Sequence, residues 1–125
     1  MTSSLISIID DDRSVREAIQ GLIRSLGYPT VAFGSAEDYL DSGRIGDTAC
    51  IITDLQMPGL SGIDLQRRLL ADGHQTPMIF VTAFPSDRLR QQALAAGAFG
   101  FLSKPFDENS LITCLDKALQ NPLPC

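Results

Sequence analysis

Four places in this chain offer side chains suited to handling charged oxygens, each at the end of a short apolar run: Asp10-Asp11-Asp12, Asp54, Thr82 and Lys104. Carboxylates gathered at one point repel one another, and crowding raises the pKa of at least one unless a cation sits among them. Magnesium is the natural guest, because it takes hard oxygen ligands in octahedral geometry, typically one or two carboxylates plus waters and phosphate oxygens. Asp11 and Asp54 could supply the carboxylates and the backbone carbonyl of Gln56 a further oxygen. The chemistry this suits is phosphoryl transfer, which is chiefly positioning plus neutralisation of the equatorial oxygens. The metal would serve one oxygen, the Lys104 ammonium a second, and Thr82 Oγ with nearby backbone N–H groups the third. Taken singly, each residue has a blander reading. An acidic run caps a helix and complements its dipole, an Asp after a strand turns the chain, and a loop lysine is solvated. Asp12 reads as the cap of a first helix.

These residues carry chemistry together only if the fold brings them together. Five apolar segments alternate with five stretches of helical period: Leu5–Ile9, Thr30–Phe33, Ala49–Thr53, Met78–Val81 and Phe99–Leu102 are the strands. Val15, Ala18, Ile19, Leu22, Ile23 and Leu26 repeat at three and four residues as an amphipathic helix, which Gly27 closes. Ser35 with Asp38 starts a second helix, and Ser61 or Gly62 a third bearing Ile63, Leu69 and Leu70. A fourth, over about Ser86 to Ala96, is polar and ends at Gly97. Leu111, Ile112, Leu115, Ala118 and Leu119 line the last. Such alternation implies an α/β fold, a doubly wound parallel sheet with helices on both faces. The flavodoxin-like order 2-1-3-4-5 suits five units, although pattern alone does not separate it from a Rossmann-like order. In that order strands one and three are neighbours at the reversal, and Asp10, Asp11 and Asp54 converge at their carboxyl ends.

Composition narrows the class. The 125 residues, 44% apolar and 20% charged, are expected to form one domain, with 121–125 the start of a linker or a tail. A net charge of −5 argues against direct, charge-driven binding to nucleic acid or anionic membrane. No apolar run is long enough to span a bilayer, and Met1-Thr2-Ser3-Ser4 lacks the parts of a signal peptide, so a cytoplasmic location is expected. Cys50, Cys114 and Cys125 show neither a disulfide framework nor zinc spacing. His74 reads as a surface loop residue.

The ordered set Ile8-Ile9-Asp10-Asp11-Asp12, Thr53 through Gly62, Val81-Thr82-Ala83 and Leu102-Ser103-Lys104-Pro105-Phe106 resembles the response-regulator receiver family of two-component signalling, from about Leu5 to Leu119. Met57–Gly62 and Phe99–Phe106 look most similar to its FixJ-like branch, which usually joins the receiver to a helix-turn-helix DNA-binding domain for transcription regulation. The resemblance implies a phosphoprotein of the phosphorelay rather than an enzyme, with Asp54 phosphorylated by a histidine kinase or phosphotransfer protein in the presence of magnesium. It implies Asp11 as direct metal ligand, Asp10 through water, the Gln56 carbonyl as ligand, and Lys104 and Thr82 on the phosphate. It also implies a cis peptide before Pro105, Phe101 as a switch aromatic, a switched surface on helix four, strand five and helix five, and a phosphorylation-dependent homodimer through helix four and strand five. Phe84, two residues beyond Thr82, reads either as a shield against hydrolytic water or as a packing anchor. An excised receiver and a stand-alone regulator are equally consistent with the chain.

Rival chemistries fit less well. A haloacid-dehalogenase-like enzyme would want a second Asp two residues after the nucleophile, where this chain has Gln56. A flavodoxin would want a Ser/Thr/Gly-rich phosphate loop where three aspartates stand. A receiver-like interaction module without phosphorylation would be expected to lack an acidic residue or the lysine.

Overall fold

The computed structural model describes residues 4–83 and 85–120; Phe84 and the segment 121–125, each given a role above, lie outside the described residues. Five parallel strands, β1 (Leu5–Ile9), β2 (Thr30–Phe33), β3 (Thr48–Asp54), β4 (Met78–Thr82) and β5 (Gly100–Ser103), form one sheet in the order β2-β1-β3-β4-β5. Between and after them run α1 (Arg13–Ser25), α2 (Ala36–Asp41), α3 (Gly62–Ala71), α4 (Asp87–Ala95) and α5 (Glu108–Gln120), with a 3-10 turn at Ile45–Asp47 before β3. This is the doubly wound α/β order expected.

The three central strands are buried along most of their length, so their side chains serve two cores. Ile6, Ile8, Cys50, Ile52, Ile79 and Val81 pack on α1 and α5 through Ile19, Ile23, Leu111 and Leu115. Ile9, Ile51, Met78 and Phe80 point the other way, onto Ala36 and Tyr39 of α2, Ile63, Leu65 and Leu69 of α3, and Ala93 of α4. Alternate residues of one strand facing opposite layers is the period-two rule. The β2 and β5 edges are only half-buried.

Helix ends follow local chemistry. Asp12 caps α1, accepting from Ser14 N and Val15 N, and Gly27 leaves it at φ +93°, a conformation costly for any residue with a Cβ. Ser35 caps α2 through Asp38 N, while a full capping box, Ser61 with Asp64, starts α3. Leu26, expected to extend the apolar stripe of α1, is instead 38% exposed as the C-cap. Cys50 and Cys114 are free thiols.

The register aligns the strand ends. Ile9 lies opposite Thr53, Asp54 opposite Val81, and Thr82 opposite Ser103. Asp10, Asp54, Thr82 and Lys104 therefore fall along one carboxyl edge. Gly62 lets α3 start against that edge: a Cβ there would lie 2.5 Å from the Asp54 carbonyl oxygen and 2.9 Å from the Phe80 ring. Gly62→Ala should therefore destabilise the fold by about 1–3 kcal/mol through overpacking against backbone, read as a lower urea midpoint with an unchanged slope.

Candidate functional site

Asp10 is held from every side. Its backbone N–H donates to Phe33 O (3.1 Å), and its carbonyl accepts from Arg16 Nη1 (2.7 Å). One carboxylate oxygen accepts from Asp12 N (2.8 Å) and the other from Lys104 Nζ (2.9 Å). The residue is 1% exposed. Asp54, also buried, ends β3; its Oδ1 accepts from Gln56 N at 3.3 Å and its Oδ2 from Lys104 Nζ at 3.0 Å. Asp11 is exposed beside them, and carboxylate oxygens of Asp10, Asp11 and Asp54 all lie within 4.8 Å of one another.

Lys104 reaches in from beyond β5. Its backbone N–H donates to the carbonyl of Thr82 at 2.7 Å, extending the pairing of β4 with β5 by one residue, and the bond from Lys104 to Pro105 is cis. Thr82 is fully buried at the end of β4. Phe101, opposite Phe80 in the β4–β5 register, is half-buried and packs with Leu89 against the core under α4. Gln56 is exposed on the loop that leaves β3. The structure thus brings Asp10, Asp11, Asp54 and Lys104 together, with Thr82 and Gln56 on adjoining backbone; Phe101 lies on the α4 side.

A contact the sequence reading missed ties down the loop that carries Gln56. The Glu37 carboxylate, in the first turn of α2, accepts from Leu60 N at 3.1 Å and lies against Gly59, whose φ is +78°. A lone acidic residue in a helix's first turn reads as dipole complementation, so its partner 23 residues away was not legible.

Electrostatics explain the arrangement. Burial works against the Lys104 ammonium, but the hydrogen bonds and charges of Asp10 and Asp54 outweigh it and hold its pKa above the ordinary 10.5. Its contribution to stability is complete below 10.5 and is lost as pH rises through that higher folded value. Burial raises the Asp10 carboxyl above 3.8, and the bonds from Lys104 and Asp12 N only partly offset it. Three carboxylates facing one ammonium leave the cluster short of positive charge. This donor set, hard oxygens with an excess of negative charge, fits a magnesium ion.

The described "Response regulator receiver domain" family matches residues 6–116. The chain belongs to that family. As a receiver domain it is a signalling phosphoacceptor rather than a catalytic enzyme. It is 38% identical over 118 residues to response regulator protein TodT of Pseudomonas putida, covering 94% of this chain and 52% of the relative. The receiver is also 32% identical over 123 residues to transcriptional regulatory protein FixJ of Bradyrhizobium diazoefficiens, covering 98% of this chain and 60% of the relative. Among solved structures it is similar to response regulator StyR (TM-score 0.86, 38% identity, 93% of this chain and 59% of that one). It is likewise similar to FixJ-N (TM-score 0.85, 28% identity, 97% of each). These relatives place the receiver in a FixJ-like branch, and it spans about half the length of the curated relatives it matches. No helix among the described residues is long and apolar enough to cross a membrane.

In the folded receiver Asp10 is an aspartate that binds protons more readily than in the unfolded chain, so its ionisation costs stability. Asp10→Asn in metal-free buffer should raise the unfolding free energy at neutral pH, because the amide has no charge to bury. The gain should vanish below pH 3.8 and grow as pH rises through the higher folded value. Urea titrations across that range check it, and a wild type more stable than the variant at pH 7 contradicts it.

Proposed function

We propose that Asp54 accepts a phosphoryl group from a histidine kinase or phosphotransfer protein, with magnesium in the acidic cluster, and that the event reshapes the face made by α4, β5 and α5. The observation that carries this reading is the Lys104 ammonium bonded at once to Asp10 and Asp54. A cation already seated on the acceptor carboxylate can follow its charge onto an added phosphoryl group. Asp54 Oδ would attack phosphorus in line as the bond to the donor imidazole nitrogen breaks. Lys104 would then hold one phosphoryl oxygen and Thr82 Oγ another.

Asp11 and Asp54, with the Gln56 carbonyl, would hold the metal directly, and Asp10 through water. Bound magnesium would shield the approach of an anionic donor and neutralise a phosphoryl oxygen. Asp10, bonded to Lys104 and to Asp12 N, holds the lysine in place and would help hold the metal through water. Beside Lys104, an apolar recess between Val15 and Ala18 of α1 and Pro105 and Phe106 beyond β5 gives a donor protein a surface to dock on.

The readout runs from Thr82 to Phe101. As Thr82 turns toward the phosphoryl group, Phe101 would move inward and α4 would follow. Helix α4 buries only Ala93, so it is the helix most cheaply displaced. The altered α4–β5 surface would favour a homodimer. In a longer protein that surface would regulate transcription through a DNA-binding domain; in a stand-alone regulator it would act by protein contact, in the cytoplasm. The half-length match to transcriptional regulators supports the former.

Incubation with acetyl phosphate and magnesium should add one phosphoryl mass to the wild type and none to Asp54→Asn. Equal labelling of the two moves the acceptor elsewhere. Magnesium should also raise the melting temperature by mass action, about 2.7 kcal/mol at a hundredfold excess over Kd. Asp11→Ala should lose most of that response, and superimposable titrations would remove Asp11 from the metal site.

A further inference from the structure

We propose that Glu37, in α2 and outside the acidic cluster, is a positioning residue for the metal: it fixes the loop after β3 in advance and thereby sets the affinity of the site for magnesium, given that the Gln56 carbonyl is a ligand as proposed above. An oxygen that ligates magnesium must meet near-ideal octahedral geometry at about 2.0–2.1 Å. Asp54 ends a buried strand and comes ready placed. Gln56 does not, because it lies exposed on a loop. A loop that had to be ordered as the ion arrived would lose conformational freedom at that moment and weaken binding.

The loop is fastened at its two ends by its own neighbours. Gln56 N donates to Asp54 Oδ1 at 3.3 Å, a long bond, and Gly62 N donates to Leu55 O at 2.8 Å where α3 begins. Met57 anchors the middle by packing into the core. Among the described residues, the hydrogen bond from Leu60 N to Glu37 Oε2 is the one that joins residues 56–60 to an element other than the strand and helix they connect. The same carboxylate fills the space beside Gly59 where a Cβ would begin, and the Leu60 side chain packs against the core. The chain at 59–60 is thus held between α2 and the core. Dipole complementation accounts for an acid in the first turn of α2, but not for one that reaches a backbone N–H 23 residues away. The bond lies at the surface, where water can take over the N–H, so its loss should spare the fold and loosen the loop.

Amide shifts of the unphosphorylated chain, followed as magnesium is titrated in, give the dissociation constant for each variant. Glu37→Ala should weaken binding about tenfold, the low end of the range for losing a group that holds a metal's ligands in place. Glu37→Asp keeps the charge but not the reach to Leu60, and should weaken binding likewise. Glu37→Gln keeps the reach without the charge. It should retain most of the affinity, since a neutral acceptor makes the same bond at roughly half the strength. Exchange of the Leu60 amide proton should quicken in the Ala and Asp variants only. If Glu37→Ala fails to fold, the Asp and Gln variants carry the same comparison. Equal dissociation constants throughout would reduce Glu37 to a brace for the fold and overturn the proposal. So would a Gln variant as weak as the Asp variant, or an Asp variant that binds like wild type, since charge rather than position would then act. Asp11→Ala, titrated alongside, separates the two readings: if it loses the wild-type shifts while every Glu37 variant keeps them, the metal site stands and the role of Glu37 falls. A wild type without saturable shifts removes both.

Discussion

The Lys104 ammonium, bonded at 2.9 Å to Asp10 and 3.0 Å to Asp54, is the interaction on which the carboxyl edge of the sheet depends. Without it two buried carboxylates would face each other at the ends of adjacent strands, with a third nearby. Repulsion of that kind either protonates a member or opens the edge. Lys104 prevents both, and it can do so only because β5 is paired to β4 in a register that delivers its backbone N–H to Thr82. Sheet register, the residue after β5 and the charge state of the cluster are therefore one linked arrangement. Burying it is costly, as the direction of the Asp10 shift records, and the fold accepts that cost where its chemistry resides.

Much of this was legible in the sequence because short strands buried on both faces read as unbroken apolar runs, and helices announce their caps. Asp12 at α1, Ser35 at α2 and Ser61 at α3 all cap as their positions suggested. Strand ends were less legible. The third strand was expected to begin at Ala49, yet β3 begins at Thr48, whose hydroxyl donates to the carbonyl of Arg44 and accepts from Tyr39. The last strand runs one residue later than the apolar pattern suggests, from Gly100 to Ser103, because Ser103 pairs with Thr82 at an edge where burial no longer dictates polarity. Among site residues, the roles suggested for Lys104 and Asp10 concerned phosphate and metal. Their bond to each other spans 94 residues and has no local signal. The bond from Gln66 to Ala93 O was missed for a similar reason, since a lone amide on a helix reads as solvent-facing.

The two flanks of the sheet differ in how firmly they are held. On the β2 side, the hydroxyls of Ser7, Thr48 and Tyr39 form a buried chain, with Ser7 Oγ and Thr48 Oγ1 2.8 Å apart and Tyr39 OH donating to Thr48 at 3.0 Å. That chain ties α2 to β1 and β3, and the Tyr39 ring adds an edge-on contact with Phe33. On the β5 side, α4 is a polar helix anchored by Ala93, the Gln66 bond to its carbonyl, and partly buried Leu89. Polar networks satisfied in the interior resist rearrangement, whereas a helix with one buried residue does not. A perturbation at the carboxyl edge should therefore be felt on the α4 flank.

The contact between Glu37 and Gly59 has a consequence for how such a chain can vary. The carboxylate occupies the space where a side chain at position 59 would begin, and it also receives the N–H of Leu60. A Cβ at 59 would displace the acid from that N–H as well as strain a backbone at φ +78°. Shortening the acid would leave the glycine's freedom intact and the N–H without its acceptor. The two positions therefore constrain each other although they belong to different halves of the doubly wound sheet, and inheritance should treat them as a unit. Related chains that carry a side chain at 59 would be expected to have given up the acid at 37, and to fasten the loop after the phosphoacceptor by some other means.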